Sequence, residues 1–301
     1  MALKAGEDGM STPDYEYASR LVETPYGRLH VRDIGGTGLP IVAMHGFPDD
    51  SRIYDRIIPL VAPRRVVALD FSGFGKSDRG QETTLRPGQR EAELSAVLTE
   101  LGIDRCVLVG HDASGAVAVN FTLDHAELVN RLVLLNCYYG DAPSLQFPEL
   151  IRLLGDPNFK PLADALMDDP KMREWILAHT QARFGYAVGD PDGVVAASVV
   201  PQWFGEGTRS DALVAIRAWT ATLFPDLEVQ NRRIADGDLA TLTVPVTVAF
   251  GEDDPYLNPE VAGHIAHQFP HAALHLIKNA SHWPQWEQPE QTARLILGDE
   301  D

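Results

Sequence analysis

The stretch of residues 108–115 constrains the fold of this chain more than any other, because it predicts a buried strand that turns sharply into a helix. An apolar run ends at Gly110, and small residues follow Asp112, where backbone must approach backbone closely. This is the layout of a nucleophile elbow, which presents the side chain at the turn beyond the end of a strand. A carboxylate at that position is ionised at neutral pH and needs no base to activate it. Its natural target is a saturated carbon with a leaving group, which indicates ring opening or dehalogenation rather than ester cleavage.

Short apolar runs alternate with helical stretches along much of the chain, and this alternation predicts a parallel sheet covered by helices. Residues 14–34 read as a hairpin around a Thr-Pro-Tyr-Gly turn. Residues 86–101 have helical spacing of their apolar positions. The predicted buried strands are residues 39–44, 65–69, 106–109, 131–136, 244–250 and 273–277.

The alternation stops after residue 136, and strand-like sequence resumes only at residue 244. Between these points the chain contains helical pieces that are punctuated by Pro and Gly. We therefore expect an α/β core of residues 1–137 and 241–301, with an inserted helical cap of residues 138–240. The predicted cap helices are residues 148–154, 162–167, 171–184, 194–203 and 211–223.

Composition and charge argue against several classes of partner. The formal net charge is −18 at pH 7, which argues against nucleic acids and anionic membranes because both reward basic surfaces. The acidic N-terminus lacks the apolar centre of a signal peptide, and no run approaches the ~20 apolar residues of a membrane-spanning helix. Cys106 and Cys137 lie in strand-like runs and are expected to be reduced core residues. These features predict a cytoplasmic protein and leave its oligomeric state open.

Polar residues follow several of the predicted strands, at the edge of an α/β sheet where ligands bind. His45 begins a His-Gly-Phe-Pro segment after one strand, Asp112 ends another, and Asp254 and His282 follow the last two. The chain order nucleophile, acid and histidine (Asp112, Asp254, His282) is the order described for hydrolases of this architecture. Ser114 is an alternative nucleophile, but the elbow spacing places it two residues beyond the turn.

In these motifs the chain resembles α/β-hydrolases of the branch that contains epoxide hydrolases and haloalkane dehalogenases, over nearly its whole length. Residues 45–48 resemble the oxyanion-loop motif of that family, and residues 110–112 resemble its nucleophile elbow. The spacing from the preceding glycine marks Asp254 as the acid rather than its two acidic neighbours, and His282 resembles the catalytic histidine. The resemblance implies the α/β-hydrolase fold, a mostly parallel twisted sheet flanked by helices, with an inserted cap.

The resemblance also implies a two-step reaction that uses no metal and no organic cofactor. Asp112 would form an alkyl-enzyme ester, and His282, oriented by Asp254, would activate the water that hydrolyses it. The backbone N–H groups of Phe47 and Ala113 would form the oxyanion hole. The histidines have no metal-ligand spacing, and no Gly-rich phosphate loop is found in a strand–helix context.

The group that stabilises the leaving atom separates the two subclasses. Haloalkane dehalogenases of this family have a tryptophan directly after the nucleophile, where this chain has Ala113. Epoxide hydrolases use cap tyrosines as proton donors, and the tyrosines near the predicted cap are Tyr138, Tyr139 and Tyr186. We expect Tyr139, Tyr186 and Trp219 to contact the substrate.

The favoured function is an epoxide hydrolase that converts a small apolar epoxide to a diol. A haloalkane or haloacid dehalogenase is the first alternative. The second is a cofactor-free lyase or oxygenase, or a ligand-binding protein, on the same scaffold, because fold alone does not determine function.

Overall fold

The computed structural model describes residues 19–79, 88–186 and 210–298 of the 301-residue chain. In these ranges eight strands form one sheet, in the order β1-β2-β4-β3-β5-β6-β7-β8. The first two strands form the predicted hairpin and run antiparallel to their neighbours, whereas all pairs from β4 to β8 are parallel. The strands are β1 (Ser19–Thr24), β2 (Gly27–Ile34), β3 (Thr37–Met44), β4 (Arg64–Leu69), β5 (Cys106–Asp112), β6 (Val129–Cys137), β7 (Val246–Gly251) and β8 (Ala272–Ile277).

The central strands are buried, as expected of parallel strands that are rich in Val, Ile and Leu. Each predicted strand is present, and only the ends differ. β5 continues through Asp112 instead of ending three residues earlier, so the strand itself carries the proposed nucleophile to the sheet edge. β7 begins at Val246, and the residue before it, Pro245, has no N–H to donate to a ladder. Cys106 and Cys137 are buried free cysteines in β5 and β6, as predicted.

Helices flank the sheet. α2 packs on β5 and β6, α7 packs on β7 and β8, and α1 contacts both β1 and α2. No helix in the described ranges is both long and apolar enough to cross a membrane. The helices are α1 (Gln89–Glu100), α2 (Ala113–Asp124), α3 (Glu149–Gly155), α4 (Lys160–Asp168), α5 (Pro170–Arg183), α6 (Ser210–Asp236), α7 (Pro259–Gln268), α8 (Pro284–Glu287) and α9 (Pro289–Leu297).

Helices α3 to α6 lie between β6 and β7 in the chain, and α3 packs against the other three. The helix predicted for residues 194–203 lies outside the described residues. The predicted end of the last cap helix was wrong, because α6 continues through Pro225 to Asp236. Leu227 and Gln230 are buried beyond the proline, and the Gln230 Oε1 atom accepts a hydrogen bond from Gly140 N–H at 2.7 Å. These tertiary contacts stabilise the helix beyond its internal proline.

Candidate active site

Asp112 lies at a sharp turn between β5 and α2, with φ of 50° and ψ of −126°. A positive φ is unusual for a residue with a side chain, and such backbone strain is concentrated at functional sites. The turn requires small neighbours. A Cβ atom added to Gly110 would lie 2.8 Å from the Ser114 carbonyl oxygen, and one added to Gly115 would lie 2.3 Å from Cys137 Cβ. The small residues after β5 are therefore explained by close packing of the turn.

Ser114, the alternative nucleophile, is fully buried inside the turn. Its Oγ atom accepts a hydrogen bond from His111 N–H at 2.9 Å and lies 2.8 Å from the His111 carbonyl oxygen. It also lies 3.0 Å from the Met44 carbonyl oxygen. The hydroxyl group thus stabilises the backbone of the elbow, and it does not line the cavity that holds Asp112.

Two backbone N–H groups bind the Asp112 carboxylate. Phe47 N–H donates to Asp112 Oδ2 at 2.8 Å, and Ala113 N–H also hydrogen-bonds this carboxylate. Gly46 allows the loop to come this close, because a Cβ atom there would lie 2.5 Å from Asp112 Cβ. The two donors predicted for an oxyanion hole therefore converge on one carboxylate, which leaves Oδ1 on the side of His282.

His282 lies between two carboxylates. Its Nδ1 atom is 2.7 Å from Asp254 Oδ2, and its Nε2 atom is 3.9 Å from Asp112 Oδ1. Asp254 is also held by Tyr256 N–H and Leu257 N–H, which donate to Oδ1 at 2.9 and 3.0 Å. The structure therefore brings together the three residues predicted as nucleophile, base and acid.

Asn136, which the sequence did not reveal, connects β6 and β7 at this site. Its Nδ2 atom donates to Asp254 Oδ2 at 2.9 Å, and its Oδ1 atom accepts from Gly251 N–H at 2.8 Å. Its φ of 25° is a second strained backbone position at the sheet edge. In the sequence, Asn136 is only an amide side chain at the end of a predicted buried strand. That feature is too common to identify a functional residue.

The three catalytic candidates have shifted pKa values. Burial raises the pKa of Asp112, and the neighbouring His282 and N–H donors offset this only in part. Burial opposes protonation of His282, but the carboxylates of Asp254 and Asp112 outweigh it and raise its pKa to about 9. Burial alone would raise the pKa of Asp254, yet His282 and the backbone donors lower it overall. The two neighbouring carboxylates therefore favour the protonated form of His282.

The sequence also did not reveal a second residue at this site, the acidic Asp49, which is completely buried. Trp283 Nε1–H donates to its Oδ2 atom at 2.9 Å, and His111 Nδ1 lies 3.8 Å from the same oxygen. Burial raises the pKa of Asp49 to about 7, against the opposing effects of Trp283 and His282. His111 Nε2–H donates to the His282 carbonyl oxygen at 2.8 Å. Asp49 thus connects the loop that carries Phe47 with the loop that carries His282 and Trp283.

The cavity that contains Asp112 is mostly apolar. Its lining includes residues of α3, α5 and α6. The lining residues are Phe47, Pro48, Asp112, Ala113, Tyr138, Gln146, Phe147, Pro148, Leu150, Ile151, Thr180, Phe184, Trp219, Thr220, Leu223, Tyr256, Leu257, His282 and Trp283.

Of the three residues predicted to contact substrate, only Trp219 lines this cavity. Tyr139 points away, and its hydroxyl donates to Asn120 Oδ1 at 2.8 Å. Tyr186 is also outside the lining, because its hydroxyl donates to Glu287 Oε1. The structure therefore places neither of these two side chains at this cavity.

Tyr138 and Tyr256 are the tyrosines that line the cavity instead. Tyr256 donates its hydroxyl to Glu149 Oε2 at 2.9 Å. The Tyr138 hydroxyl has no hydrogen-bond partner among the residues that the structure describes. Within the same ranges, no three His, Cys, Asp or Glu side chains are grouped so that they could hold a metal ion.

Comparison with known proteins identifies the family. The model of the alpha/beta hydrolase family matches residues 41–295, so the chain belongs to this family. A 2-hydroxy-6-oxononadienedioate/2-hydroxy-6-oxononatrienedioate hydrolase of Burkholderia vietnamiensis is 28% identical over 278 residues, which are 90% of each chain. Haloalkane dehalogenase 2 of Mycobacterium tuberculosis is 27% identical over 293 residues, which are 95% of this chain and 97% of the relative.

Solved structures give the same fold. The haloalkane dehalogenase DbeA of Bradyrhizobium elkani superposes with a TM-score of 0.73 at 21% identity, covering 93% of this chain and 97% of that one. A thermophilic esterase from Thermogutta terrifontis superposes with a TM-score of 0.71 at 21% identity and the same coverage. The predicted α/β-hydrolase fold is thus confirmed, and the protein is a hydrolase whose relatives include dehalogenases.

Proposed function

We propose that the protein is a hydrolase that forms an alkyl-enzyme ester on Asp112, and that its substrate is an apolar epoxide, which it converts to a diol. The observation that carries this proposal is the position of the Asp112 carboxylate. Two N–H donors bind it, Oδ2 accepts at 2.8 Å from Phe47, and Oδ1 lies 3.9 Å from His282 Nε2. A nucleophile oriented in this way reacts through Oδ1, and its other oxygen already lies in an oxyanion hole.

In the first step, Asp112 Oδ1 attacks a carbon of the epoxide ring. The new C–O bond forms as the ring C–O bond breaks, and the ring oxygen takes up a proton. In the second step, water attacks the ester carbonyl carbon while His282 Nε2 takes its proton. The Phe47 and Ala113 N–H groups hold the negative charge on Oδ2. The acyl C–O bond of the ester then breaks, and His282 returns the proton to the departing diol. Asp112 is released as a carboxylic acid, and its proton restores the donor that protonated the ring oxygen, so the cycle closes.

We assign the proton donor for ring opening to Tyr138. It lines the same cavity as Asp112, and its hydroxyl has no acceptor among the described residues. A hydroxyl without an intramolecular partner is available to the ring oxygen, whereas the hydroxyls of Tyr139 and Tyr256 are already donated to Asn120 and Glu149. Tyr138 thus takes the role that we expected of Tyr139 or Tyr186.

A haloalkane dehalogenase is the second candidate, and two observations favour it. Relatives of nearly full length carry that name, and the Trp219 indole lines the cavity, where its N–H could face a departing halide. A halide needs no proton when it leaves, so this reaction would not depend on Tyr138. Against it, the residue after the nucleophile is Ala113, whose side chain offers no hydrogen-bond donor to a halide.

A carbonyl substrate, such as the names of the other relatives indicate for those proteins, suits Asp112 less well. Carboxylate attack on an acyl carbon gives a mixed anhydride, which is no less reactive than the substrate. Attack on a saturated carbon gives a stable ester that His282 can then hydrolyse.

The test is to trap the ester. His282→Phe removes the base for the second step, so the variant should accumulate adduct when incubated with mixed epoxides and haloalkanes. Intact-mass spectrometry is expected to show the mass of a whole epoxide, and peptide mapping should place it on Asp112. An adduct with the mass of an alkyl group without its halogen would instead establish a dehalogenase. The control is the double variant with Asp112→Asn, which should give no adduct.

His282→Gln, which keeps a polar side chain, should also accumulate the adduct. An adduct on Ser114, or none from a folded variant of either kind, would contradict the proposal.

A further inference from the structure

A second cavity lies beside the catalytic cavity, between the N-terminal end of α1, α2 and α6. The two cavities share Ala113, Tyr138, Trp219 and Leu223, which form the partition between them. The first cavity is mostly apolar, but the second has many polar and charged side chains. Its other lining residues are Gly88, Gln89, Arg90, Glu91, Ala116, Val117, Asn120, Asp124, Thr222, Asp226, Val229, Gln230 and Arg233.

The side chain of Arg90 in this second cavity is buried, and most of its hydrogen-bond donors have no partner in the part of the chain that the structure describes. The residue is 8% exposed, and its guanidinium lies 3.7 Å above the Trp219 ring. Its Nε and Nη2 atoms are buried and have no hydrogen-bond partner among the described residues. Its Nη1 atom lies 3.7 Å from Asp226 Oδ2, which is an ion-pair distance but too long for a hydrogen bond. Buried guanidinium N–H groups are costly when unpaired, so this arrangement needs an explanation.

The neighbouring charges do not supply the missing acceptors. Arg233 is paired with Asp124 at 2.8 Å, and Glu91 accepts from Asn120 Nδ2 at 3.1 Å. Burial raises the pKa of both Glu91 and Asp226, which weakens them as counter-ions to Arg90. Arg90 therefore lies in a polar cavity with the two N–H groups of one guanidinium edge unpaired by any described residue.

The Nε–Nη2 edge of a guanidinium is the pair of parallel donors that binds a carboxylate through both oxygens. We propose that the second cavity is a subsite for a carboxylate at the far end of the substrate, bound by Arg90, while the apolar part occupies the catalytic cavity. Trp219 and Tyr138 would contact the chain where it passes from one cavity to the other. The inference rests on the proposed function only for the end of the substrate that reacts with Asp112. Binding of the carboxylate end requires no turnover.

The experiment measures binding of unreactive ligands by isothermal titration calorimetry. The ligands are unbranched fatty acids from butyrate to laurate, each paired with the primary alcohol of the same length. We expect the longer acids to bind the wild type more tightly than their alcohols. Arg90→Met should weaken acid binding roughly ten- to a hundred-fold, as expected when a charged hydrogen bond is lost, and leave alcohol binding unchanged.

Two control variants separate this role from general effects. Arg232→Met removes one positive charge at an exposed position of α6 and should leave both ligand series unchanged. Arg90→Lys keeps the charge but loses the two-donor edge, and should weaken acid binding less than Arg90→Met does. Arg90→Met also removes the ion pair with Asp226 and the stacking on Trp219, so circular dichroism and thermal melting must show that the variant is folded at the assay temperature.

If Arg90→Met weakened acid binding and alcohol binding equally, Arg90 would only support Trp219. This result would overturn the proposal. Equal affinity of short and long acids, or acids that bind no better than alcohols to the wild type, would also overturn it. Because the ligands do not react, a failed adduct experiment with His282→Phe would leave these outcomes unchanged. The two proposals can therefore fail separately.

Discussion

At the level of single residues, the charge on Asp112 controls the basicity of His282. In the resting enzyme, the Asp254 and Asp112 carboxylates both raise the pKa of His282, against the effect of burial. In the proposed mechanism, alkylation turns Asp112 into a neutral ester and removes one of these two negative charges. The pKa of His282 then falls at the stage where a neutral imidazole is needed to accept a proton from water. Formation of the ester thus prepares the base for the next step.

This coupling predicts two different pH dependences for the two steps. Ester formation needs ionised Asp112, and burial raises the pKa of this carboxyl group from 3.8. As the pH is lowered, kcat/KM should therefore begin to fall at a pH above 3.8. Ester hydrolysis needs neutral His282, so its rate should rise with pH and level off below the value of about 9 found in the resting state. Rapid-mixing measurements of both steps across pH provide the check. A hydrolysis limb at or above 9 would contradict the coupling.

Asp49→Asn should shift the hydrolysis limb to lower pH. An ionised Asp49 carboxylate raises the pKa of His282, and an uncharged amide cannot do so. The oxygen of the substituted amide can still accept the Trp283 Nε1–H that Asp49 binds at 2.9 Å, so the fold should be kept. The measurement is the single-turnover rate of ester hydrolysis against pH, with thermal melting as the control for stability. A uniform loss of rate with an unmoved limb would assign Asp49 a purely structural role.

At the level of secondary structure, the β5–α2 turn depends on the absence of side chains at its glycines. Gly115→Ala would place Cβ 2.3 Å from Cys137 Cβ and should destabilise the protein by about 1–3 kcal/mol through overpacking. The matched control is Gly263→Ala in α7, where a Cβ would meet no atom within 4 Å. That helical substitution should stabilise the protein by about 0.5–1 kcal/mol. Chemical denaturation measures both, and equal effects would refute the packing argument.

Tyr138 lines the cavity whereas Tyr139 is bonded to Asn120, and the two substitutions to Phe should therefore behave differently. Tyr138→Phe should slow alkylation by an epoxide by about 10²–10⁴-fold and leave alkylation by a haloalkane unchanged, because a halide needs no proton. Tyr139→Phe should keep both rates and lose about 1 kcal/mol of stability with the hydrogen bond to Asn120. Rapid-mixing kinetics and denaturation distinguish them. Slower epoxide opening in Tyr139→Phe alone would return the donor role to that residue.

Local sequence patterns were sufficient to predict the strands and the polar residues that follow them. Asp112 could be predicted because the apolar run, the turn and the small residues are contiguous. Asn136, Asp49 and the side on which Tyr139 lies could not, because each depends on residues from distant parts of the chain. Asn136, for example, is recognisable only when its amide is seen between Asp254 and Gly251. The same limit explains the extended α6, whose packing partners lie far away in sequence.

At the level of the whole molecule, the residues proposed for catalysis come from two separate parts of the chain. Asp112 lies before helices α3 to α6, whereas Asp254 and His282 follow them. Direct contacts hold the two segments together at the site, including the His111 Nε2–H bond to the His282 carbonyl oxygen at 2.8 Å. The parallel pairing of β6 with β7 brings these distant residues to one sheet edge. Helices α3 to α6 lie between those two strands in the chain, and residues of α3, α5 and α6 line the cavity that contains Asp112 and His282.

The net charge of −18 should oppose the approach of an anionic ligand, even though Arg90 binds its carboxylate once it is inside. Added salt screens this long-range repulsion, since the Debye length is about 10 Å at 0.1 M ionic strength. The association rate constant of laurate should therefore rise with ionic strength, while that of the matching alcohol stays constant. Arg90→Met should show the same salt dependence with a faster dissociation, because the repulsion belongs to the whole surface and the affinity belongs to one side chain. Stopped-flow measurements over a salt series separate the two rate constants. An association rate that falls with salt would mean that a locally basic entrance, and not the overall charge, controls the approach.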